Sequence, residues 1–573
     1  MGSALDSKVH AAIARGTWSI SPTSIGLAWI DWATQLAASP GKRLDLISLI
    51  FEQALRLNCY CQTVALNPSG IATRECIIPP SFDKRFKADE WHRWPFSVLH
   101  QAFLLSDEWW HAATTNVRGV SKHHEHIVSF IARQWLDMLS PGNYPLTNPV
   151  VLRRTSETWG RNLINGAINL LEDIERTTSN KAPAHVQRYR VGVDVACTPG
   201  KVVMRNRLAE LIQYAPTTDT VRPEPILIVP AWIMKYYILD LSPHNSLIRH
   251  LVSQGYTVFC LSWKNPGLPE RDLELDDYLT LGLYAAIKTI HQIVPEQKIH
   301  ATGYCLGGTL LAIAAAAMAK GKDDCLQSVT FFTTQTDFRE SGELALFIDE
   351  NEVSLLEAQM EETGFLSAGQ MAGAFQMLRS NDLMWSRVIN EYLMGERAPV
   401  TDLMAWNADT TRMPARMHGR YLRELFLNNA LSEGRYRVHN EPITLFNISK
   451  PIFCVATTAD HVAPWQSVYK LHYLTPAEIT FVLTTGGHNA GIVNSPERTD
   501  RSYRILKRPA GGHYLPDQRW LKEAAEFPGS WWPAWIEWLN ARSGPPTSPP
   551  HMGLPSMEGA TLPEAPGTYI FEQ

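Results

Sequence analysis

The chain has 573 residues, of which 45% are hydrophobic and 19% are charged, and its formal net charge is −5. This composition excludes a disordered chain and leaves room for one large core with an accessory domain, or for two to three ordinary domains. Because basic and acidic residues are spread along the sequence, nothing in it predicts nucleic acid as a partner.

The sequence predicts a cytoplasmic protein without a metal. Its first residues lack the basic and apolar regions of a secretory signal peptide, and no apolar run is long enough for a transmembrane segment. Eight cysteines are scattered along the chain, which without a signal peptide predicts free thiols in a reducing compartment. Cys59 and Cys61 have no second cysteine pair, so we expect no structural zinc site.

Residues 1–190 are predicted to form a mainly helical N-terminal domain. Segments 48–57 and 126–139 place apolar residues at three- and four-residue spacing, and Pro141-Gly142-Asn143 ends the second. Two segments between them, 83–87 and 91–95, mix aromatic with charged residues. This mixture favours a solvated face with aromatic anchors over the alternative, a docking surface for a partner or polymer.

From about residue 190, short apolar strands alternate with helices. The predicted strands are 189–198, 201–206, 224–232, 257–263, 298–303, 328–336, 451–460 and 478–487. The predicted helices between them are 246–254, 275–294 and 309–321. This alternation predicts an α/β fold of the α/β-hydrolase type, with a mostly parallel central sheet, over residues 191–540.

Two further regions depart from this alternation. Residues 338–445 combine predicted helices, such as 347–362, with irregular loops, and an insertion of this size in an α/β sheet is expected to form a cap over the site. Residues 541–573 are rich in Pro, Gly and Ser. We expect them to form a tail that is flexible or lies along the surface.

The motif Gly303-Tyr304-Cys305-Leu306-Gly307-Gly308 joins a predicted strand to a predicted helix. This context is typical of a nucleophile elbow, in which a strained turn projects the nucleophile above the sheet while small residues let strand and helix cross. The N–H of Leu306 would donate to an oxyanion at the helix N-terminus, which also favours a thiolate at Cys305. A buried structural cysteine is the alternative, and the flanking strand, helix and glycines favour the nucleophile.

The candidate acid and base follow the nucleophile in the order that α/β-hydrolases use. One strand ends at Asp460 and the next leads into His488, so His488 is predicted to take the thiol proton and Asp460 to orient its ring. His461 is a rival base, although a histidine hydrogen-bonded near the acid loop is the favoured interpretation. His513 follows glycines too, but no strand-end acid precedes it.

A second oxyanion donor is expected from the loop after the strand that stops at Pro230. The N–H groups of Ala231, Trp232 and Ile233 are the candidates, and Ile233 is preferred. Their side chains are equally compatible with an ordinary turn and core.

Several motifs together resemble those of the polyhydroxyalkanoate synthases of the single-subunit, class I-like type. Besides the elbow, they are residues 230–241, 262–266, 381–385, 406–409, 460–465, 487–491 and 528–532. The resemblance runs from about residue 81 to 540. The chain departs from the family pattern at Ala231, where a second proline is usual, and at Asn489, where an apolar residue is common.

The resemblance implies an acyltransferase that needs no cofactor. It would polymerise 3-hydroxyacyl-CoA, with 3-hydroxybutyryl-CoA expected, into a polyester and release CoA. By position, Cys305 matches the family's acylated cysteine, Asp460 its aspartate and His488 its histidine. The positions of Tyr304, Trp406 and His461 match further family residues, which we expect to contribute to substrate binding. The resemblance also implies a homodimer at the surface of cytoplasmic granules that hold the growing polyester chain.

The chemistry of a thiol nucleophile fits this interpretation. A thiol exchanges readily with a thioester, and chain growth needs a base near the incoming 3-hydroxyl group, a role open to both His488 and Asp460. Two other functions remain as alternatives. A hydrolase of the dienelactone-hydrolase kind shares the elbow but needs neither a large cap nor a long helical region. A non-catalytic granule-coating protein would not need the ordered Cys-Asp-His set.

Overall fold

A computed structural model describes residues 2–17, 20–66, 75–79, 83, 85–179, 188–367, 369–370, 384–397, 399–554 and 562–573. The chain divides into two compact units. The sheet unit comprises residues 1–20, 184–372 and 400–573, and the helical unit comprises residues 21–183 and 373–399.

This division differs from the predicted domain boundaries at two places. Residues 1–20 belong to the sheet unit, because helix α1 (Gly2–Gly16) packs against the helix Glu350–Thr363 and Arg15 pairs with Glu362. Residues 373–399, expected within the cap, belong to the helical unit. The described part of segment 373–399 is held in the helical unit by side-chain contacts with main-chain carbonyls. Helical periodicity does not reveal such contacts.

The helical unit confirms the two helices predicted from apolar spacing. Its helices are α2 (Pro22–Ala37), α3 (Pro40–Leu66), α4 (Phe96–Thr114), α5 (Lys122–Leu139), α6 (Pro149–Glu157) and α7 (Arg161–Thr178). Phe86 and Trp91 lie in its core, whereas Trp94 is 70% exposed. Phe86 and Trp91 are therefore the aromatic anchors that we expect in segments 83–87 and 91–95.

The sheet unit is built on a ten-stranded sheet. Its strands are β1 (Gly200–Arg205), β2 (Ala209–Tyr214), β3 (Ile226–Val229), β4 (Val258–Trp263), β5 (Ile299–Tyr304), β6 (Leu326–Phe332), β7 (Ile452–Thr457), β8 (Ile479–Thr484), β9 (Ser502–Arg508) and β10 (Ala525–Pro528). Their spatial order is β1-β2-β4-β3-β5-β6-β7-β8-β9-β10. The six central strands are parallel; in spatial order they are β4, β3, β5, β6, β7 and β8. The strands at the two edges, β1 and β2 on one side and β9 and β10 on the other, form antiparallel pairings. The predicted mostly parallel sheet is confirmed.

Helices connect and cover these strands. They are α8 (Leu247–Ser253), α9 (Leu275–Asp277), α10 (Ala285–Ile293), α11 (Leu306–Lys320), α12 (Glu350–Thr363), α13 (Asp402–Asn407), α14 (Ala415–Tyr421), α15 (Trp465–Tyr469), α16 (Leu471–Leu474), α17 (Asp517–Glu523) and α18 (Trp532–Asn540). No helix among the described residues combines the length and hydrophobicity that a membrane crossing requires.

Two predicted elements differ in the structure. The helix expected over 275–294 contains a π-helical segment, Tyr278–Tyr284. Gly282 in this segment packs closely against Trp263, because a Cβ on Gly282 would lie 2.3 Å from the Trp263 ring. The strand expected over 189–198 is instead a turn, because Gly192 has a φ of 81° and the Asp194 carboxylate accepts a hydrogen bond from the Arg190 N–H at 3.0 Å.

The insertion between β6 and β7 carries α12, α13 and α14, together with a π-helical segment, Leu422–Leu427. Two short antiparallel ribbons, 365–366 with 413–414 and 437–438 with 441–442, tie parts of it together. This is the part of the sequence expected to form a cap. Residues 381–383 of the motif 381–385 lie outside the described residues.

The described parts of the predicted tail lie along the surface of the sheet unit rather than extending from it. The Val202 N–H donates to the Pro563 carbonyl at 3.0 Å, and the Ala565 N–H donates to the Gly200 carbonyl at 2.9 Å. The segment 562–573 therefore runs beside the edge strand β1. Its proline content is compatible with an edge position, where not every amide must donate.

Candidate active site

Cys305 makes the turn between β5 and α11. Its φ of 53° and ψ of −121° lie outside the regions that side-chain-bearing residues normally adopt. The N–H of Cys305 donates to the Phe332 carbonyl on β6 at 2.9 Å, so the sheet holds this strained turn in place. The strand, the turn and the helix together have the geometry of a nucleophile elbow.

The glycines around Cys305 are required by close packing. A Cβ on Gly303 would lie 2.4 Å from the Gly308 Cα, and a Cβ on Gly307 would lie 2.1 Å from the Val229 carbonyl oxygen. The predicted need for small residues at 303 and 307 is confirmed. Gly308 shares this need, because its Cβ would lie 1.8 Å from Thr334 Oγ1.

Asp460 and His488 follow the ends of the neighbouring strands β7 and β8. Nδ1 of His488 lies 2.8 Å from Asp460 Oδ2. Oδ1 of Asp460 accepts hydrogen bonds from the N–H groups of Val462 at 2.9 Å and Ala463 at 2.8 Å, and the Thr457 hydroxyl donates to Oδ2 at 3.2 Å. The Asp460 side chain is 0% exposed, so these donors satisfy a buried carboxylate and orient it toward the imidazole.

The Cys305 side chain interacts electrostatically with His488, so the structure brings the three predicted residues into one site. Burial by itself would lower the pKa of His488. The charges of Asp460 and Cys305, together with the hydrogen bond to Asp460, outweigh that effect, and the pKa is raised well above its ordinary value. An imidazole in this setting can accept a proton from the thiol and hold it.

The loop after β3 lies directly against the elbow, since a Cβ on Gly307 would also lie 2.5 Å from the Pro230 carbonyl oxygen. The carbonyls of this loop face the inserted region: the Thr411 hydroxyl donates to Trp232 at 2.6 Å, and the Thr411 N–H donates to Ile233 at 3.3 Å. Among the described residues, neither the Ile233 N–H nor the Leu306 N–H has an acceptor.

Comparison with known proteins places the chain in a family. Residues 82–251 match the model of the poly-beta-hydroxybutyrate polymerase (PhaC) N-terminus, residues 2–42 match that of the poly-beta-hydroxybutyrate polymerase N terminal region, and residues 224–495 match the alpha/beta hydrolase fold. A poly(3-hydroxyalkanoate) polymerase of Methylorubrum extorquens is 41% identical over 507 residues, which are 87% of this chain and 82% of that protein. The poly(3-hydroxyalkanoate) polymerase subunit PhaC of Rhizobium etli is 38% identical over 495 residues, covering 86% and 77%.

The chain belongs to the poly(3-hydroxyalkanoate) polymerase family. The resemblance drawn from its motifs is thereby confirmed. As a family member it is an acyltransferase-type enzyme on an α/β-hydrolase fold.

The residues expected to contribute to substrate binding occupy three different positions in the polymerase. Tyr304 is buried beside the triad, and its ring lies 5.9 Å from the His488 ring. Trp406 is buried in the core, where its Nε1 donates to the Lys235 carbonyl at 2.8 Å, so it anchors the loop after β3. The side chain of His461 is exposed, and Asp460 is bonded to His488 instead. The structure thus supports His488, not its rival, as the histidine paired with the acid.

One buried residue of the inserted region, not predicted from the sequence, interacts electrostatically with Cys305. Tyr421, at the end of α14, is 7% exposed. Burial and, to a lesser extent, the nearby Cys305 side chain raise the pKa of Tyr421 well above its ordinary value. Its phenol therefore stays protonated near the thiol. No local sequence pattern indicates this placement, because the interaction crosses an insertion of irregular structure.

The motif 528–532 is part of the family resemblance, and in the structure it contacts the loop that follows His488. Nε1 of Trp531 donates to the Gly491 carbonyl at 2.9 Å, and Nε1 of Trp532 donates to the Ile492 carbonyl at 3.0 Å. Both indoles are buried. They hold the loop that follows His488 from beneath.

Proposed function

We propose that the enzyme polymerises 3-hydroxyacyl-CoA, with 3-hydroxybutyryl-CoA as the expected substrate, and releases CoA through thioester intermediates on Cys305. One observation carries this proposal. In a member of the poly(3-hydroxyalkanoate) polymerase family, the thiol of a strained elbow interacts electrostatically with a histidine that is itself hydrogen-bonded to a buried aspartate.

In the first step, Cys305 is acylated. With the Nδ1–H of His488 donated to Asp460, Nε2 takes the thiol proton, and the thiolate attacks the carbonyl carbon of the acyl-CoA. The N–H groups of Leu306 and Ile233 stabilise the oxyanion. The bond between the acyl carbon and the CoA sulfur then breaks, and the imidazolium returns its proton to the CoA thiolate.

In the second step, the hydroxyl group of a 3-hydroxyacyl unit gives up its proton to a base, and its oxygen attacks the carbonyl carbon of an acyl thioester to form the new ester bond. The carbon–sulfur bond of that thioester breaks, and the protonated base returns the proton to the departing thiolate. We assign the activation of that hydroxyl to His488. Both oxygens of Asp460 are already occupied by donors, and its side chain is fully buried, so it has no free lone pair facing an incoming alcohol. Asp460 then orients His488 and stabilises the imidazolium.

The polymerase must favour an alcohol over water as the attacking group. The inserted region supports this requirement, because its Tyr421 is buried and interacts electrostatically with Cys305, and its Trp406 holds the loop that carries Ile233. An insertion that covers the thioester limits the access of water and so suppresses hydrolysis. A hydrolase of the dienelactone-hydrolase kind would not need this cover.

The proposal extends to the surroundings in which the polymer grows. We place the enzyme in the cytoplasm, at the surface of polyester granules, as a homodimer whose partners are the acyl-CoA substrate and the growing chain. The motif resemblance supports this placement. Co-sedimentation with polymer granules and the mass of the purified protein in solution test it.

The decisive experiment follows three products of purified protein and 3-hydroxybutyryl-CoA: released CoA, free 3-hydroxybutyrate and polymer turbidity. CoA release with polymer and without equivalent free acid is expected. Stoichiometric free acid without polymer would mean a hydrolase instead.

Cysteine variants test the nucleophile in the same assay. Cys305→Ala should abolish CoA release. Cys325→Ala is the matched control, because Cys325 is also a partly exposed free thiol but lies at the start of β6. Activity that survives in Cys305→Ala would remove Cys305 from the mechanism.

A further inference from the structure

Tyr304 and Asn489 connect the two segments that carry Cys305 and His488. Tyr304 is the last residue of β5, immediately before the thiol, and it is 3% exposed. Its hydroxyl donates to Oδ1 of Asn489, the residue immediately after His488. This bond therefore spans the top of the sheet one residue away from each of the two reacting side chains.

The Asn489 end of this bond is held in a well-defined turn. The main-chain carbonyl of Asn489 accepts hydrogen bonds from the N–H groups of Ile492 and Val493, both at 3.0 Å. Beneath the turn, the indole of Trp531 donates to Gly491. A displacement of Asn489 would therefore also displace the backbone of His488 next to it.

Among the described residues, the bond between Tyr304 and Asn489 is the only hydrogen bond between segment 303–309 and segment 486–494. The electrostatic interaction between Cys305 and His488 also connects the two segments, but it depends on a free thiol. When Cys305 carries an acyl group, its sulfur has no proton to share and is only a weak acceptor. The link between Tyr304 and Asn489 contains no reacting atom, so it persists through the whole catalytic cycle.

We propose that the Tyr304–Asn489 hydrogen bond is a positioning device that keeps the His488 imidazole at the elbow while Cys305 is acylated. The inference rests on the proposed function. It predicts that the bond matters little for the first acylation, when the thiol itself holds His488, and matters for chain growth, when His488 must meet the incoming hydroxyl group.

The test uses the full-length enzyme and the variants Tyr304→Phe, Asn489→Val and their combination. Tyr256→Phe is the matched control, since the Tyr256 hydroxyl donates to Asn540 Oδ1 at 2.9 Å in the same kind of buried pair away from the triad. One equivalent of 3-hydroxybutyryl-CoA measures the burst of CoA from the first acylation. An excess of substrate then measures kcat and KM for growth, and the burst amplitude counts correctly folded sites.

The expected result is a burst rate within about twofold of the wild type and a kcat for growth reduced roughly ten- to hundredfold, since a small displacement of a catalytic group has effects of this size. The double variant should match the single ones, because all three lose the same bond. Equal losses in burst and growth, additive losses, unchanged growth, or the same loss in Tyr256→Phe would overturn the inference. A wild-type enzyme that gives no CoA burst on Cys305 would instead refute the proposed function.

Discussion

The ammonium group of Lys235 donates to the main-chain carbonyl oxygens of Tyr569 and Glu572, which lie 334 and 337 residues further along the chain. Lys235 is 4% exposed and follows Ile233 by two positions. Burial lowers the pKa of Lys235, and the nearby carboxyl groups of Asp409 and Glu572 oppose that effect. The segment 562–573 thus supplies the partners of a buried charge in the candidate oxyanion loop.

Deleting residues 568–573 should therefore destabilise the sheet unit and impair acylation. Losing hydrogen bonds to a buried charged group costs roughly 3 kcal/mol, and the loop that carries Ile233 loses its support. Urea unfolding and the CoA burst measure the two effects. Adding Lys235→Met to the deletion should restore part of the stability but not the burst. A deletion variant as stable as the wild type would contradict this account of Lys235.

Gly307→Ala should disrupt the elbow. The added methyl group would meet the carbonyl oxygens of Val229 and Pro230 at 2.1 and 2.5 Å, so strand β3 and helix α11 would have to separate. We expect a loss of about 1–3 kcal/mol in unfolding free energy, as for other overpacked sites, and no measurable burst. Gly321→Ala, whose Cβ would meet nothing closer than 3.5 Å, serves as the control. Equal behaviour of the two variants would argue against the close contact.

Trp531→Phe and Trp532→Phe should each leave one buried carbonyl of the His488 loop without its donor. An unsatisfied buried carbonyl costs about 1–3 kcal/mol, and part of that cost should appear as a lower kcat. Trp520→Phe is the control, because the buried Trp520 Nε1 has no acceptor within the described part of the chain. If all three variants lose the same activity, the smaller ring, rather than the lost hydrogen bond, would explain the effect.

His472 is expected to make the sheet unit sensitive to acid. Its ring packs 4.3 Å from the Tyr469 ring, and neither ring nitrogen has a partner among the described residues. Burial and the charge of Arg508 lower the pKa of His472 to about 3. Since the unfolded histidine binds a proton near pH 6.5, the unfolded state takes up more protons between about pH 6.5 and pH 3, and stability falls as the pH falls through that window.

His472→Phe should remove this effect. Its stability advantage over the wild type should grow by about 2 kcal/mol between pH 7.5 and pH 5, which urea unfolding at both values measures. His513→Phe changes an exposed histidine and should show no such growth. A constant difference between His472→Phe and the wild type would mean that His472 is protonated equally in both states.

The central part of the site was predictable because its signals are local. A few neighbouring residues are enough to identify the glycines, the strand and the helix around Cys305. The same is true of the strand ends before Asp460 and His488. Strand β2 was missed, because it buries Glu210 and Gln213, which look like surface residues. Their partners come from far along the chain: the Glu210 carboxylate accepts from the Thr568 N–H at 3.0 Å, and the Gln213 side chain binds residues 551 and 553.

The helical unit shows the same limit. Apolar spacing predicted two of its helices, but it could not assign residues 384–397 to this unit rather than to the cap. The side-chain amide of Asn162 donates to the Leu393 carbonyl at 2.8 Å, and that of Asn169 donates to the Glu391 carbonyl at 2.9 Å. Contacts of this kind leave no periodic pattern in either segment.

The positive φ of Cys305 is a strained backbone conformation, so the presence of a side chain at this position lowers the stability of the protein. Glycine adopts such a φ without steric cost, so Cys305→Gly should melt above Cys305→Ala by roughly 2–4 °C for each kcal/mol of relieved strain. Glycine at this position would relieve the backbone strain but would remove the thiol that the proposed mechanism requires. On that mechanism, strain at Cys305 is a stability cost that accompanies the nucleophile.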